Sequence, residues 1–112
     1  MLAALQQVET LMRDYGHTYE ANLAAIAHEV FTRDPRAACR AINNDEWWEN
    51  RRSVAAIDLA VDGGFTNEAR LDALRLRSAL IEIFTTMLAY GEHNDAGELI
   101  VSQFRKWQES HV

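Results

Sequence analysis

The chain has 112 residues, 48% of them hydrophobic and 25% charged, with one proline and five glycines, which excludes a disordered or collagen-like chain and predicts one compact domain over residues 1–112. Seventeen acidic residues against eleven lysines and arginines give a formal net charge of −6, which argues against nucleic acid as a partner because an acidic domain repels phosphates. No segment reaches the roughly 20 consecutive apolar residues of a membrane span and no secretory signal opens the chain, so we expect a cytoplasmic protein without membrane contact.

Two amphipathic helices are predicted at the start of the chain. Apolar residues recur every three or four positions over residues 2–15, and Gly16 follows where a left-handed C-terminal cap is expected. The second helix is predicted to begin at Thr18 as its N-cap and to end near Arg33. Its apolar residues form one stripe, which we expect to face the core: Tyr19, Leu23, Ile26, Ala27 and Val30, with Phe31 beside them.

A third, shorter helix is predicted from the dipeptide Asp34-Pro35 to about Asn43. Aspartate caps free backbone amides, and proline fits the first helical position because its missing N–H would have no partner there. The polar run Asn43-Asn44-Asp45 predicts a break, although Asp45 can equally cap a further turn through residues 46–49. This stretch is therefore either a loop or a short helix.

Residues 53–62 fit either a short helix or a half-buried strand. Their three alanines, with Ser53 as a cap and Gly63-Gly64 as the end, favour the helix. The next run, residues 65–90, has no interior glycine or proline and predicts the longest helix of the chain. The core stripe of this long helix is predicted at Leu76, Leu80, Ile83, Phe84 and Met87.

A last helix is predicted to begin at Asn94-Asp95. One face of it carries the apolar residues Ala96, Ile100, Phe104 and Trp107, joined by Leu99 and Val101. The predicted fold class is therefore all-α: a compact bundle of five or six helices in a single domain, with residues 65–90 as the central helix.

Metal-ligating residue types are present, but their spacing matches no metal motif. A helical metal site needs ligands on one face, as in His-x-x-x-His or Glu-x-x-His. The nearest approaches are His17 with Glu20, and His93 with Asp95 and Glu98, which stand at predicted helix starts where acidic residues are common. We therefore expect no metal and no cofactor.

Four further residues are candidates for chemistry. Cys39 stands on an apolar helix face and, as the single cysteine, forms no internal disulfide, so a core position is predicted. His28 lies beside the apolar stripe of the second helix and is expected to be partly buried. Asp58 and Asp62 lie one helical turn apart, which fits a solvated face better than an acid–base pair in a cleft. The sequence therefore indicates a protein that is not an enzyme.

The segment Asp45-Glu46-Trp47-Trp48-Glu49 is the most unusual part of the chain, because it places two of the three tryptophans among acidic residues. Tryptophan is a preferred anchor at protein interfaces, and surrounding carboxylates attract cationic groups. The segment therefore fits the capture of a basic partner by an exposed indole. In the alternative interpretation, an indole fills the bundle core while the acids face water. The two can hold together, since neighbouring helical side chains point about 100° apart.

Residues 53–59, Ser-Val-Ala-Ala-Ile-Asp-Leu, followed by residues 67–75, Asn-Glu-Ala-Arg-Leu-Asp-Ala-Leu-Arg, resemble the core of an uncharacterised bacterial family of small helical proteins. Arg52 stands where that family has a glycine, and two extra residues separate Ser53 from Asp58. The resemblance implies an all-α fold and a binding role, because small acidic helical proteins of this type are often associated with immunity to toxins.

The favoured hypothesis is an immunity- or antitoxin-like protein that neutralises a basic bacterial toxin. Its predicted partner-binding residues are the acids and tryptophans in the middle of the chain: Asp45, Glu46, Trp47, Trp48, Glu49, Asp58 and Asp62. One alternative is a small helical enzyme or ligand-binding bundle that uses His28, His93 or Asp58 in an internal cavity. Another is a homodimer formed through the apolar surface of the long helix.

Overall fold

The computed structural model describes residues 1–49, 53–57 and 67–110. In these ranges six α-helices and one turn of 3-10 helix form a bundle, and no β-strand occurs, so the predicted all-α fold class is confirmed. The elements in chain order are α1 (Leu2–Asp14), α2 (Thr18–Arg33), α3 (Pro35–Ile42), α4 (Asp45–Trp48), the 3-10 turn (Val54–Ala56), α5 (Asn67–Ala89) and α6 (Asp95–Glu109).

Local capping signals place most helix ends as the sequence predicts. Gly16 after α1 and Gly91 after α5 have φ angles of +80° and +84°, in the left-handed region that glycine adopts without strain. The Asp34 carboxylate accepts a hydrogen bond from the Ala37 N–H at 3.2 Å and caps α3. The Asn94 side chain caps α6 by accepting from the Gly97 N–H at 2.8 Å.

Two predicted caps are wrong, and a third is right in position only. His17, and not Thr18, is the N-cap residue of α2, and it makes no side-chain capping bond. Asn44 caps α4 in place of Asp45, with its side-chain oxygen accepting from the Trp47 N–H at 3.2 Å. Ser53 stands at the N-cap position of the 3-10 turn, as predicted, but its side chain makes no capping bond. The rest of the predicted element at 53–62, its end at Gly63-Gly64 and the start at residues 65–66 lie outside the described residues.

Helix α2 packs against α1 through small residues. The buried positions of α2 are Ala21, Ala24 and Ala27. They lie against the large buried side chains of α1, which are Leu5, Val8, Leu11 and Met12. Alanines at the contact let the two helix axes approach closely, so the alanine face of α2 is the face that is buried in the core.

The predicted core stripe of α2 is therefore largely wrong. Tyr19 is 62% exposed and Ile26 is 58% exposed, while Leu23 and Val30 are half-buried. Only Ala27 of that stripe is fully buried, and Phe31 beside it is half-buried. Tyr19, Leu23, Ile26 and Val30 form an outward row along α2, in which Tyr19 and Ile26 are exposed and Leu23 also packs against the core.

Helix α5 is the central element, as predicted. It packs against α1, α3 and α6, and the five residues of its predicted core stripe are all buried. On α6, Val101 and Phe104 face the core, whereas Leu99 is 74% exposed and does not join them. None of the described helices combines the length and apolar character needed to cross a membrane.

Candidate partner-binding surface

The tryptophan pair lies in the core. Trp47 is 2% exposed and Trp48 is fully buried, so the expectation that one indole is exposed as a partner anchor is wrong. The Trp48 indole N–H donates a hydrogen bond to the Ile42 carbonyl at 2.9 Å, which satisfies its polar atom inside the bundle. The ring also meets Phe84 of α5 edge to face, with ring centroids 5.5 Å apart. The ring centroids of Trp47 and Trp48 are 6.3 Å apart, so the two indoles occupy neighbouring positions in the core.

The first turn of α6 is pressed against these aromatic rings at Gly97. A Cβ atom at this position would lie 2.8 Å from Phe84 Cε1 and 3.1 Å from Trp48 Cδ2. Glycine is therefore the residue that allows α6 to begin beside α4. The burial of Trp48 thus holds α4 and the start of α6 in contact.

The acidic side chains of α4 face water while its tryptophans face inward. Asp45, Glu46 and Glu49 are all exposed. A hydrogen bond between the carboxyl groups of Glu49 and Asp45, together with the negative charge of Asp45, raises the pKa of Glu49 above its ordinary value. The carboxylates are therefore crowded enough to repel one another.

A pair of asparagines joins this segment to the start of α6. The Asn94 amide donates to the side-chain oxygen of Asn43 at 3.0 Å. In return, the Asn43 amide donates to Glu92 Oε1 at 3.1 Å and to the His93 carbonyl at 3.2 Å. The loop before α4 and the loop before α6 are consequently fixed side by side.

The two segments that this link joins carry six acidic residues, and we call these residues the acidic end: Asp45, Glu46, Glu49, Glu92, Asp95 and Glu98. Five of them are exposed, and Glu92 is half-buried. The sequence has no lysine or arginine at positions 41–49 or 91–104. Both segments therefore present an excess of acidic side chains.

His93 is held between two of these carboxylates. Its Nδ1 lies 3.3 Å from Asp95 Oδ1 and its Nε2 lies 3.0 Å from Glu98 Oε2. These three residues are the group in the described ranges that has the residue types and proximity to hold a metal ion. However, the two ring nitrogens face different carboxylates, as in an imidazole bridging two acids, and the positive end of the α6 dipole disfavours a cation there. The arrangement fits a histidine held beside two carboxylates at a helix start better than a metal centre.

Tyr19 connects the acidic end to the outward row of α2. Its hydroxyl donates a hydrogen bond to the Glu46 carboxylate, and this bond and the carboxylate charge raise the pKa of Tyr19. The periodicity of α2 marked Tyr19 as apolar but assigned it to the core, so the sequence missed it as a surface residue. The signal that could have found it is the parallel row of three alanines, which competes for the core.

The other predicted site residues are Cys39, Asp58, Asp62 and the two histidines of the cavity hypothesis. Asp58 and Asp62 lie outside the described residues. Cys39 is buried, as predicted, and burial raises the pKa of its thiol, which opposes nucleophilic chemistry. A groove of about 370 Å³ lies between the 3-10 turn, α5 and α6, and Arg77 and Gln103 are the polar members of its described lining. The described lining includes neither His28 nor His93, and Asp58, the third residue of the cavity hypothesis, lies outside the described residues.

The chain matches no family model, no curated protein and no solved structure. The resemblance of residues 53–59 and 67–75 to a family of small helical proteins therefore stays a prediction. Any functional conclusion rests on the residues of the chain itself.

Proposed function

We propose that the chain is a protein-binding module that holds a basic protein partner at the acidic end, as a cytoplasmic immunity or antitoxin protein holds a basic bacterial toxin. The observation that carries this proposal is the Asn43–Asn94 hydrogen bond, which sets two segments that are distant in the chain, each with three acidic residues, side by side. A cationic surface that approaches this end is attracted by both segments at once.

The charge arrangement suits rapid and selective association. Complementary charge steers a partner during encounter, and exposed acids act mainly on the association rate. The crowding of Asp45 and Glu49, which raises the pKa of Glu49, is relieved when ammonium or guanidinium groups of a partner approach. The electrostatic free energy of the acidic end is thus lower when a basic partner is bound than when the chain is free.

In this proposal the two tryptophans act by positioning. Trp48 packs on Phe84 and beside Gly97, and in doing so it fixes the orientation of α4 against α6. The acids of both helices are then presented as one rigid surface, which lowers the entropic cost of ordering them on binding. Substituting a tryptophan would therefore weaken binding through the fold, whereas substituting an acid would weaken it directly.

The experiment is a growth-rescue assay with charge-reversed variants. The chain is co-expressed with the product of the gene that neighbours its own, and growth is compared with expression of that product alone. We expect wild-type chain to restore growth and a variant with Asp45→Lys, Glu46→Lys and Glu49→Lys to fail, because reversed charge repels a basic surface. Circular dichroism shows whether the variant keeps its helical content.

A matched control places the same charge change elsewhere. Asp14, Glu68 and Glu109 are exposed acids that lie outside the acidic end, and their triple replacement by lysine gives the same net charge as the α4 variant. We expect this control to restore growth. Equal rescue by both variants, or a neighbouring product that is harmless when expressed alone, would overturn the proposed function.

A further inference from the structure

The outward row of α2 has the spacing of a helix-docking seam. Tyr19, Leu23, Ile26 and Val30 follow one another at intervals of four, three and four residues. At 100° per residue these side chains fall within an arc of about 60° on the helix surface. This alternation is the a/d pattern through which one helix packs knobs into the holes of another. We call the four residues the α2 seam.

Two members of the α2 seam are open to a partner. Tyr19 is 62% and Ile26 58% exposed, whereas Val30 is half-buried and Leu23 also packs against the core. The face of α2 that carries the three buried alanines is turned about 130° from the seam around the helix axis. Tyr19 and Ile26 are therefore the positions at which a second helix can contact the seam.

The charge beside the seam identifies the kind of helix. The Tyr19 hydroxyl bonds to Glu46, so the N-terminal end of the seam adjoins the acidic end. A basic helix that docks along the seam therefore brings its cationic residues next to Asp45, Glu46 and Glu49. A second copy of this chain is disfavoured as the occupant, because each copy carries a net charge of −6.

We propose that the α2 seam docks an amphipathic basic helix of the partner, which lays leucine-like residues on Tyr19 and Ile26 and its basic residues on the acidic end. This inference rests on the proposed function, since both require a basic partner, and it adds that the contact is a helix and that α2 receives it. The 16 residues of α2 offer a length of about 24 Å, enough for three turns of a docked helix.

The test uses synthetic peptides of defined sequence. The probe is a helical peptide of about 20 residues with leucines at alternating spacings of four and three, arginines on either side of them and alanines elsewhere. A second peptide has the same composition but distributes its leucines around the helix. We expect the first peptide to bind the full chain about ten-fold more tightly than the second, measured by titration calorimetry.

The variants Ile26→Ser and Leu71→Ser locate the contact. Ile26 is 58% exposed on the seam and Leu71 is 53% exposed on α5, so the two are matched in side-chain type and exposure, and neither replacement opens the core. We expect Ile26→Ser to lower the affinity for the seam-patterned peptide by about ten-fold or more. We expect Leu71→Ser to leave this affinity unchanged.

The remaining outcomes separate this inference from the proposed function. Binding that Ile26→Ser leaves intact but that neutralisation of the three α4 acids removes would overturn the α2 seam and leave the acidic end standing. Failure of the growth-rescue assay, in contrast, refutes the proposed function whichever peptide binds.

Sedimentation analysis tests whether a second copy of the chain occupies the seam. A wild-type dimer that Ile26→Ser turns into a monomer would assign the seam to a second copy and overturn the inference. No binding of the seam-patterned peptide by the wild-type chain would overturn it as well.

Discussion

Glu49 and Asp45 show how single residues connect stability with binding. They stand four residues apart at α4, and a hydrogen bond between their carboxyl groups and the charge of Asp45 raise the pKa of Glu49. A carboxyl group whose pKa is raised by folding destabilises the folded state when it is ionised, and this cost disappears as the pH falls through the raised pKa. The pair therefore weakens the free chain at neutral pH while it attracts a basic partner.

The replacement Glu49→Gln tests whether this carboxylate lowers the stability of the free chain while it promotes binding. We expect the variant to be more stable than wild type at neutral pH, because the repulsion from Asp45 is removed, and to show no such advantage in acid, where Glu49 is already protonated. We also expect slower association with the basic partner. Urea unfolding at neutral and acidic pH measures the first effect, and a stability gain that is the same at both pH values would contradict the assignment.

Helices α4 and α6 show how packing between elements builds the surface. The Trp48 ring fills the space between them, and Gly97 lets the first turn of α6 lie against that ring and Phe84. The acidic residues of both helices owe their nearness to this contact and to the Asn43–Asn94 bond. The surface therefore depends on side chains that a partner never touches.

The variant Gly97→Ala measures how tightly the helices are held. Helix propensity alone favours alanine over glycine by about 1 kcal/mol, whereas forcing a methyl group into a packed core costs about 1–3 kcal/mol. Because the added Cβ would lie 2.8 Å from a ring carbon of buried Phe84, we expect a net loss of about 1 kcal/mol in the free energy of unfolding. Chemical denaturation measures it, with Ser102→Ala on the exposed side of α6 as the control. A Gly97→Ala variant more stable than wild type would show that the contact is loose.

Element positions were predictable where the signal is local. The caps at Asp34 and Asn94 and the glycines at 16 and 91 act on their own neighbours, so sequence alone located those ends. The core face of α2 was not predictable from α2. Two apolar faces compete there, and the choice of the alanine face depends on the bulk that α1 presents.

At the scale of the whole molecule, the acidic end depends on a contact between two segments that are distant in the sequence. The acids at 45–49 were recognised from the sequence, but their joining with Glu92, Asp95 and Glu98 depends on a bond between residues 43 and 94 that no local pattern reports. The orientation of the tryptophans was equally inaccessible, because composition does not tell whether an indole beside acids faces water or the core. The sequence thus indicated the charge, and folding arranged it into a surface.

The role of the acidic end is tested most directly by the association rate between this chain and the partner identified by the growth-rescue assay, measured by stopped-flow mixing at low and high salt. The comparison is between wild type and a variant with Asp45→Asn, Glu46→Gln and Glu49→Gln. We predict that wild type associates about ten-fold faster at low salt, that this advantage fades as salt screens the charges, and that the dissociation rates differ little. Equal rates with the same salt dependence in both proteins would contradict a role for the acidic end in capturing a basic partner.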